Sequence, residues 1–356
     1  MNEFRQKLLR RTETIPDREK RRLSGGSVLL LLFAALALAV LLSFGLGRYP
    51  VGIKELLGIL AHRLGVYRGA PFWSETQAVA VWNVRMPRVL LSVLVGASLA
   101  SAGAAFQGAF QNPMASPDIL GASAGAGFGA ALAIYFGLGS AAVTASAFAV
   151  SMLTVGLVFF IGGFVKGEKT IGLILSGIMI SSLFQAGTSF IKLVADPGNR
   201  LPTITYWLMG SLVGAGRDEA AFVVWPMLLG FFPLMLLRWR LNVITMGDDD
   251  ARSMGVRPGR VRLAAIACAT LLTAASVSVS GMIGWVGLVI PHMMRRLVGS
   301  DHRFLLPASA LGGGAFLLIV DDISRCAGQS EIPIGILTAF IGAPFFLLLI
   351  TRRSRT

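Results

Sequence analysis

Hydrophobic residues along this chain gather in long unbroken runs instead of alternating with polar ones at a helical or strand period, beginning with the Leu/Ala-rich stretch 27–47. About 20 such residues are what a helix needs to cross roughly 30 Å of hydrocarbon. Apolar runs and breaker residues predict about ten helices, near 27–47, 88–110, 118–136, 140–165, 171–194, 219–237, 261–281, 284–298, 304–323 and 334–350. The expected fold class is an all-α polytopic membrane protein. Residues 1–26 form a basic polar tail and residues 27–351 a single transmembrane domain. The first run is longer than the h-region of a signal peptide and no clear small-residue cleavage site follows it, so it reads as a retained helix.

Composition points the same way. Of 356 residues 54% are hydrophobic and only 14% charged, with a mean hydropathy of +0.72, whereas soluble domains carry about 25% charged residues. The net charge of +14 would suit a polyanion, but its distribution argues against nucleic acid. An even helix count puts both termini on one side, and most of the Lys and Arg fall on that side, which the positive-inside rule makes cytoplasmic. Membrane lipid is the expected surrounding and the inner membrane the expected location.

Small residues cluster where helices would meet. Gly121, Gly125 and Gly129 recur four apart in the third predicted helix and Gly312–Gly314 lie in the ninth, a pattern that lets backbones approach closely. Three connections are too long for turns. The stretch 48–88, external, holds Trp73 and Trp82, which suit a membrane interface. The stretch 195–217, also external, holds TITYWLMGSLVGAG, a short re-entrant or surface helix. The stretch 238–262, cytoplasmic, has the core GDDDARSMGVRPGRVR, a short polar helix with acids at its start and a Gly-Val-Arg-Pro stop.

Chemistry is sparse. GGFVKGEKT, from Gly162 to Thr170, nearly matches a phosphate-binding loop, but Glu168 displaces Lys169 from the position beside the second glycine, which leaves a cytoplasmic turn. His62, His292 and His302 lack paired-ligand spacing. Cys268 and Cys326 lack a nearby partner, read as apolar packing, and are not expected to form a disulfide. Asp321, Asp322 and Glu331 gather at the external end of the ninth helix, a pattern that admits a proton relay. Their expected place at the water boundary, with Arg325 as neutralising partner, favours a structural role. Few ionisable residues fall deep in the predicted spans, Lys192 near an end being the chief one. No catalytic residue, metal site or cofactor is expected, and the chain does not read as an enzyme.

Three further segments carry a resemblance: RMPRVLLSVLVGASLASAGAAFQGAFQNPMASPDILGASAGAG, SGMIGWVGLVIPHMMRRLVGSDHR and EIPIGILTAFIGAPFF. Together, in this order, they resemble the FecCD family, permeases of iron-siderophore, haem and vitamin B12 ABC importers. The resemblance implies a type II ABC importer permease fold and a cargo moved from periplasm to cytoplasm. An iron(III)-siderophore chelate leads, with vitamin B12 or haem as alternatives.

It also implies partners: two copies of a separate cytoplasmic ATPase, a periplasmic or lipid-anchored binding protein, and a second permease, either a second copy or a paralogue. Carried over by position, Arg85, Arg88 and Arg325 would dock acidic residues of the binding protein. The helix of the 238–262 loop would couple to the ATPase through Asp248 to Val256, with Ala251, Ser253, Met254 and Gly255 as the buried contact and Asp248, Asp249, Asp250 and Arg252 on the rim. Thr170 would belong to the cytoplasmic gate. Two rivals of other classes are an ion-coupled secondary transporter, which needs intramembrane carboxylates and repeated broken helices, and an intramembrane enzyme, for which no paired catalytic groups are visible.

Overall fold

The computed structural model describes residues 24–353, apart from residues 48, 50, 64, 166–168, 215 and 329. Residues 1–23 of the expected basic tail lie outside the described residues. All regular structure among the described residues is helical: α1 Gly25–Gly45, α2 Ile53–Arg63, α3 Glu75–Ala109, α4 Ala122–Tyr135, α5 Ser140–Phe164, α6 Lys169–Val194, α7 Arg200–Leu208, α8 Arg217–Thr245, α9 Asp248–Ser253, α10 Pro258–Ser280, α11 Val286–Val298, α12 His302–Cys326 and α13 Ile334–Arg353. Seven of these, α1, α3, α5, α6, α8, α10 and α12, are long and apolar enough to cross a membrane.

Each predicted apolar run has a helix, but two are shorter than expected. The run 118–136 breaks into a 3-10 turn, Pro117–Leu120, and α4, because Gly121 between them adopts a left-handed φ of 77°. The run 284–298 starts two residues late, after Trp285 at φ 70°. At 1.5 Å per residue, α4 and α11 are only about 20 Å long. Irregular backbone is tolerated at such depth only where protein satisfies it. Here Ser211 N donates to Ser280 O at 2.7 Å, beside the break after α10. In the opposite sense, α8 continues past residue 237 to Thr245, with Leu241, Val243 and Ile244 buried, and so shortens the expected 238–262 loop.

The centre of the bundle is α3, 35 residues long and mostly buried. Its glycines explain how it gets there. A Cβ on Gly96 would lie 2.2 Å from Gly313 O of α12, and one on Gly103 would lie 1.8 Å from Gly287 O of α11. Backbone thus meets backbone on two sides of α3, which is how apolar helices gain affinity in a solvent as apolar as themselves. The same logic holds α4 on α5: a Cβ on Gly125 would meet Thr154 Oγ1 at 2.0 Å, and one on Gly129 would meet Ser146 O at 2.5 Å. Gly121 serves the helix start instead, as its left-handed cap. Of the two cysteines, Cys268 packs on the core, whereas Cys326 is exposed at the end of α12, so the apolar-packing expectation holds for Cys268 alone.

Candidate functional site

Two polar clusters stand out, one at each end of α3. The first forms where the ends of α1 and α12 meet the start of α3. That start is capped by Ser74, whose Oγ accepts from Gln77 N while Gln77 Oε1 accepts from Ser74 N, and it runs into a π segment, Ala80–Arg85. Wide turns of this kind recur at functional sites.

Arg85 closes the π segment, and its guanidinium donates to two main-chain carbonyls, Phe44 O and Tyr49 O. One turn on, Arg88 forks onto two carboxylates: Nε and Nη2 reach Asp321 Oδ1 at 3.0 and 2.8 Å, while Nη1 and Nη2 reach Glu331 at 3.1 and 2.8 Å. Arg325 donates to Asp322 and, at 2.8 Å, to Ser43 Oγ of α1; its Nε lies 3.2 Å from Asp321 Oδ2. Ser43 Oγ in turn donates to Asp322 Oδ1 at 2.7 Å.

Three cations and three carboxylates therefore share one buried patch. Arg85, Arg88 and Arg325 are only 5–7% exposed and Asp321 is 0% exposed. The acids are not bathed in water: Asp321 and Asp322 are buried against the arginines, and Glu331 is partly exposed. Arg forks suit such sites because two parallel bonds satisfy both carboxylate oxygens at once. The patch still opens outward. A cavity of ≈ 270 Å³ is lined by Arg85, Arg88, Arg325, Glu331, Tyr49 and Gly47, so the three sequence-selected arginines share one concave surface.

The second cluster forms where α3 ends and α9 begins. Three consecutive aspartates open α9, where carboxylates favour the helix dipole. Gly255, at φ 77°, ends it: Gly255 N donates to Arg252 O at 3.0 Å and Val256 N to Ala251 O at 2.9 Å. Only a residue without Cβ enters that conformation cheaply.

Asp249, Asp250, Arg252, Ser253, Met254 and Gly255 are exposed. Ala251 and Val256 are not; both pack into the chain's own core. This corrects their expected part in a partner contact, and the physical reason is that a single exposed turn must spend its apolar side holding itself to the bundle. Asp248 turns toward α10. Its carboxylate accepts from Arg262 Nη1 and Nη2 at 3.0 and 2.6 Å, and that bonding holds it below the usual carboxylate range. Thr170 falls on the second residue of α6, and its side chain lies outside the described residues.

Sequence reasoning missed Ser43 in the first cluster and the groups that complete the second. Arg262 caps α3 through Nε, which donates to Ala109 O at 3.1 Å. Gln107 accepts from Arg295 at 3.0 Å and donates to Leu288 O at 3.3 Å. Asn242 joins Asp301 and His302, taking His302 N at 2.7 Å. Each polar residue sits near one end of an apolar helix, Gln107 and Asn242 in the last turn and Arg262 five residues from the start, a weak signal that does not name its partner.

Among the described residues no three His, Cys, Asp or Glu side chains gather to hold a metal ion. The arrangement is that of an apolar helical scaffold with a polar cluster toward each end of α3. Comparison with known proteins agrees. Residues 35–352 match the model of the FecCD transport family. The chain is 36% identical over 340 residues to the molybdate import system permease protein MolB of Haemophilus influenzae, covering 96% of this chain and 98% of that one. It is 42% identical over 281 residues to the cobalamin import system permease protein BtuC of Halobacterium salinarum, covering 79% and 75%. A solved structure described as an inward-facing metal-chelate type ABC transporter superposes with a TM-score of 0.81 at 36% identity, over 92% of this chain and 99% of that one.

Proposed function

The chain belongs to the FecCD transport family of ABC importer permeases, and on that premise we propose that it passes an iron(III)-siderophore-type chelate across the inner membrane into the cytoplasm. The observation that carries the reading is the pairing of two unlike polar sites at opposite ends of α3: an arginine-lined cavity at one end and an exposed acidic turn at the other.

The cavity is the periplasmic face, where an acidic side chain of a binding protein enters. Arg88 and Arg325 already hold the chain's own carboxylates, whereas the bonds of Arg85 go to carbonyls. Arg85 therefore supplies the charge an incoming carboxylate meets, and the other two shape the cavity. The α9 turn is the cytoplasmic face, where Asp249, Asp250, Arg252, Ser253, Met254 and Gly255 meet a separate ATPase. Both termini are cytoplasmic, the ten apolar helices each cross the bilayer, and a second permease copy completes a pathway that one copy only half encloses. Thr170 lies at the cytoplasmic gate.

The relatives are named for molybdate, cobalamin, iron chelatin and hemin, which supplies the panel of competing cargoes. The test is ATP-dependent uptake by the complete importer in proteoliposomes, offered radiolabelled ferric siderophore, cobalamin, hemin or molybdate. Uptake of the ferric siderophore above the other three supports the proposal; preference for another cargo overturns it. Docking is read separately. Arg85→Gln is expected to weaken capture of the binding protein by about tenfold, as loss of a charge-assisted hydrogen bond does, and unchanged capture rejects that role.

A further inference from the structure

A single turn such as α9 has little surface with which to move a bundle, so any push it receives must leave through whatever it is tied to. Its strongest tie is Arg262, the fifth residue of α10. The two Nη atoms take both oxygens of Asp248, the first residue of α9, while Nε of the same guanidinium takes the carbonyl of Ala109, the last residue of α3. Ala109 O is one of the carbonyls a helix end leaves without an internal partner. One planar group therefore joins three elements, and it does so with all three of its nitrogens.

The end of α3 is tied on its other sides as well. Gln111, held at φ 50°, donates to Ile244 O in the last turn of α8, and Gln107 bridges to α11 through Arg295 and Leu288 O. Beyond that end α3 does not flex freely, because Gly96 and Gly103 lock it against α12 and α11 by backbone contact. Its far end carries Arg85 and Arg88.

From this geometry we infer that Arg262 is a positioning residue that fastens the α9 turn to α3, so that one rigid helix links binding-protein docking at one end to the ATPase at the other. The inference rests on the importer reading above and adds to it the route by which the two partners sense each other. Coupling of this kind is a free-energy difference between two states, felt equally from both sites.

The experiment measures, in the complete importer in proteoliposomes, how many times the binding protein raises ATP hydrolysis. It compares the native chain with Arg262→Gln, Arg262→Lys, Asp248→Asn and the double variant Arg262→Gln/Asp248→Asn. Retention of the ATPase subunit on the purified complex is scored alongside. The expected result is that each variant keeps the ATPase and loses the stimulation by about tenfold, within the usual range for coupling between sites. Arg262→Lys is expected to fail like Arg262→Gln, because a single ammonium cannot satisfy Asp248 and Ala109 O in a fork. The double variant is expected to lose no more than either single one, since both remove the same link. A merely structural role would give losses of stimulation that follow thermal stability across the variants.

Native stimulation in Arg262→Gln or in Arg262→Lys overturns the inference, as do additive losses. Should Arg262→Gln fail to assemble, Asp248→Asn carries the decision alone, and native stimulation there overturns it equally. A native chain that retains no ATPase subunit overturns the importer reading together with the link; retention with intact stimulation in the variants overturns the link alone.

Discussion

Removing the carboxylate of Asp321 tests whether the arginine cluster is built as described. Asp321 is 0% exposed and takes Arg88 at 3.0 and 2.8 Å and Arg325 at 3.2 Å. Asp321→Ala leaves three guanidinium groups, Arg85, Arg88 and Arg325, sharing the site with two carboxylates, Asp322 and Glu331. Breaking one side of a buried ion pair costs about 3–5 kcal/mol, most of it the penalty of the stranded charge. Glu331 still holds Arg88 through two bonds and Asp322 still holds Arg325, so the loss is expected near the lower figure, about 3 kcal/mol. Glu331→Gln is the comparison: its side chain is 22% exposed and water replaces part of what is lost, for a cost of about 1 kcal/mol. Equilibrium unfolding in mixed micelles of rising SDS fraction, followed by tryptophan fluorescence, reads both. A cost under about 1 kcal/mol for Asp321→Ala, or one no larger than for Glu331→Gln, refutes the argument that this carboxylate neutralises a desolvated cluster.

Three other outcomes are expected. Gly103→Ala places a methyl 1.8 Å from Gly287 O, so unfolding titrations should show a loss of about 3 kcal/mol, whereas Gly163→Ala, whose Cβ meets nothing within 4 Å, should stay within about 0.5 kcal/mol. Asp301 has its carboxyl lowered to about 2, chiefly by the Arg303 hydrogen bond. A depressed folded-state pKa gives stability that is present above the unfolded value of 3.8 and is lost as pH falls from about 4 toward 2, and Asp301→Asn should flatten that part of the stability profile. Gly255→Val forces a β-branched residue to φ 77° at a cost of about 1–2 kcal/mol; it should distort the α9 turn and uncouple hydrolysis from uptake, seen as a lower ratio of cargo moved to ATP consumed.

The helices were legible because apolar length is written directly in the chain. Run 140–165 became α5 at Ser140–Phe164, and run 171–194 became α6. The breaks were legible only in part. Gly121, read as a packing residue inside run 118–136, instead caps α4 in the left-handed region, and nothing local marks Trp285 for φ 70°; its side chain lies so close to Gly342 that a Cβ there would touch it. Candidate residues fared likewise. Arg85, Arg88 and Arg325 were found by motif, yet the partner of Arg88, Asp321, lies 233 residues away, and no periodicity spans that distance. Arg262 was passed over as one basic residue among many in a cytoplasmic loop. Its importance follows only from which carbonyl ends α3. Ala251 was misjudged because a six-residue helix shows no period long enough to tell its inner side from its outer.

The wide turn at Ala80–Arg85 has a consequence for how this chain tolerates insertion and deletion. A regular helix advances about 100° per residue, and a π turn absorbs one extra residue without lengthening the rod much. Deleting any one of these six residues would let the helix relax to ordinary winding with Met86 onward undisturbed. Because the wide turn takes up its extra residue locally, the helix on either side would keep its facing, and what is lost is the local offset that brings Trp82 O and Asn83 Oδ1 to within 3.3 and 2.8 Å of Arg217 Nη2 at the start of α8. A one-residue deletion at this spot should therefore spare the rod and cost it the clasp onto α8.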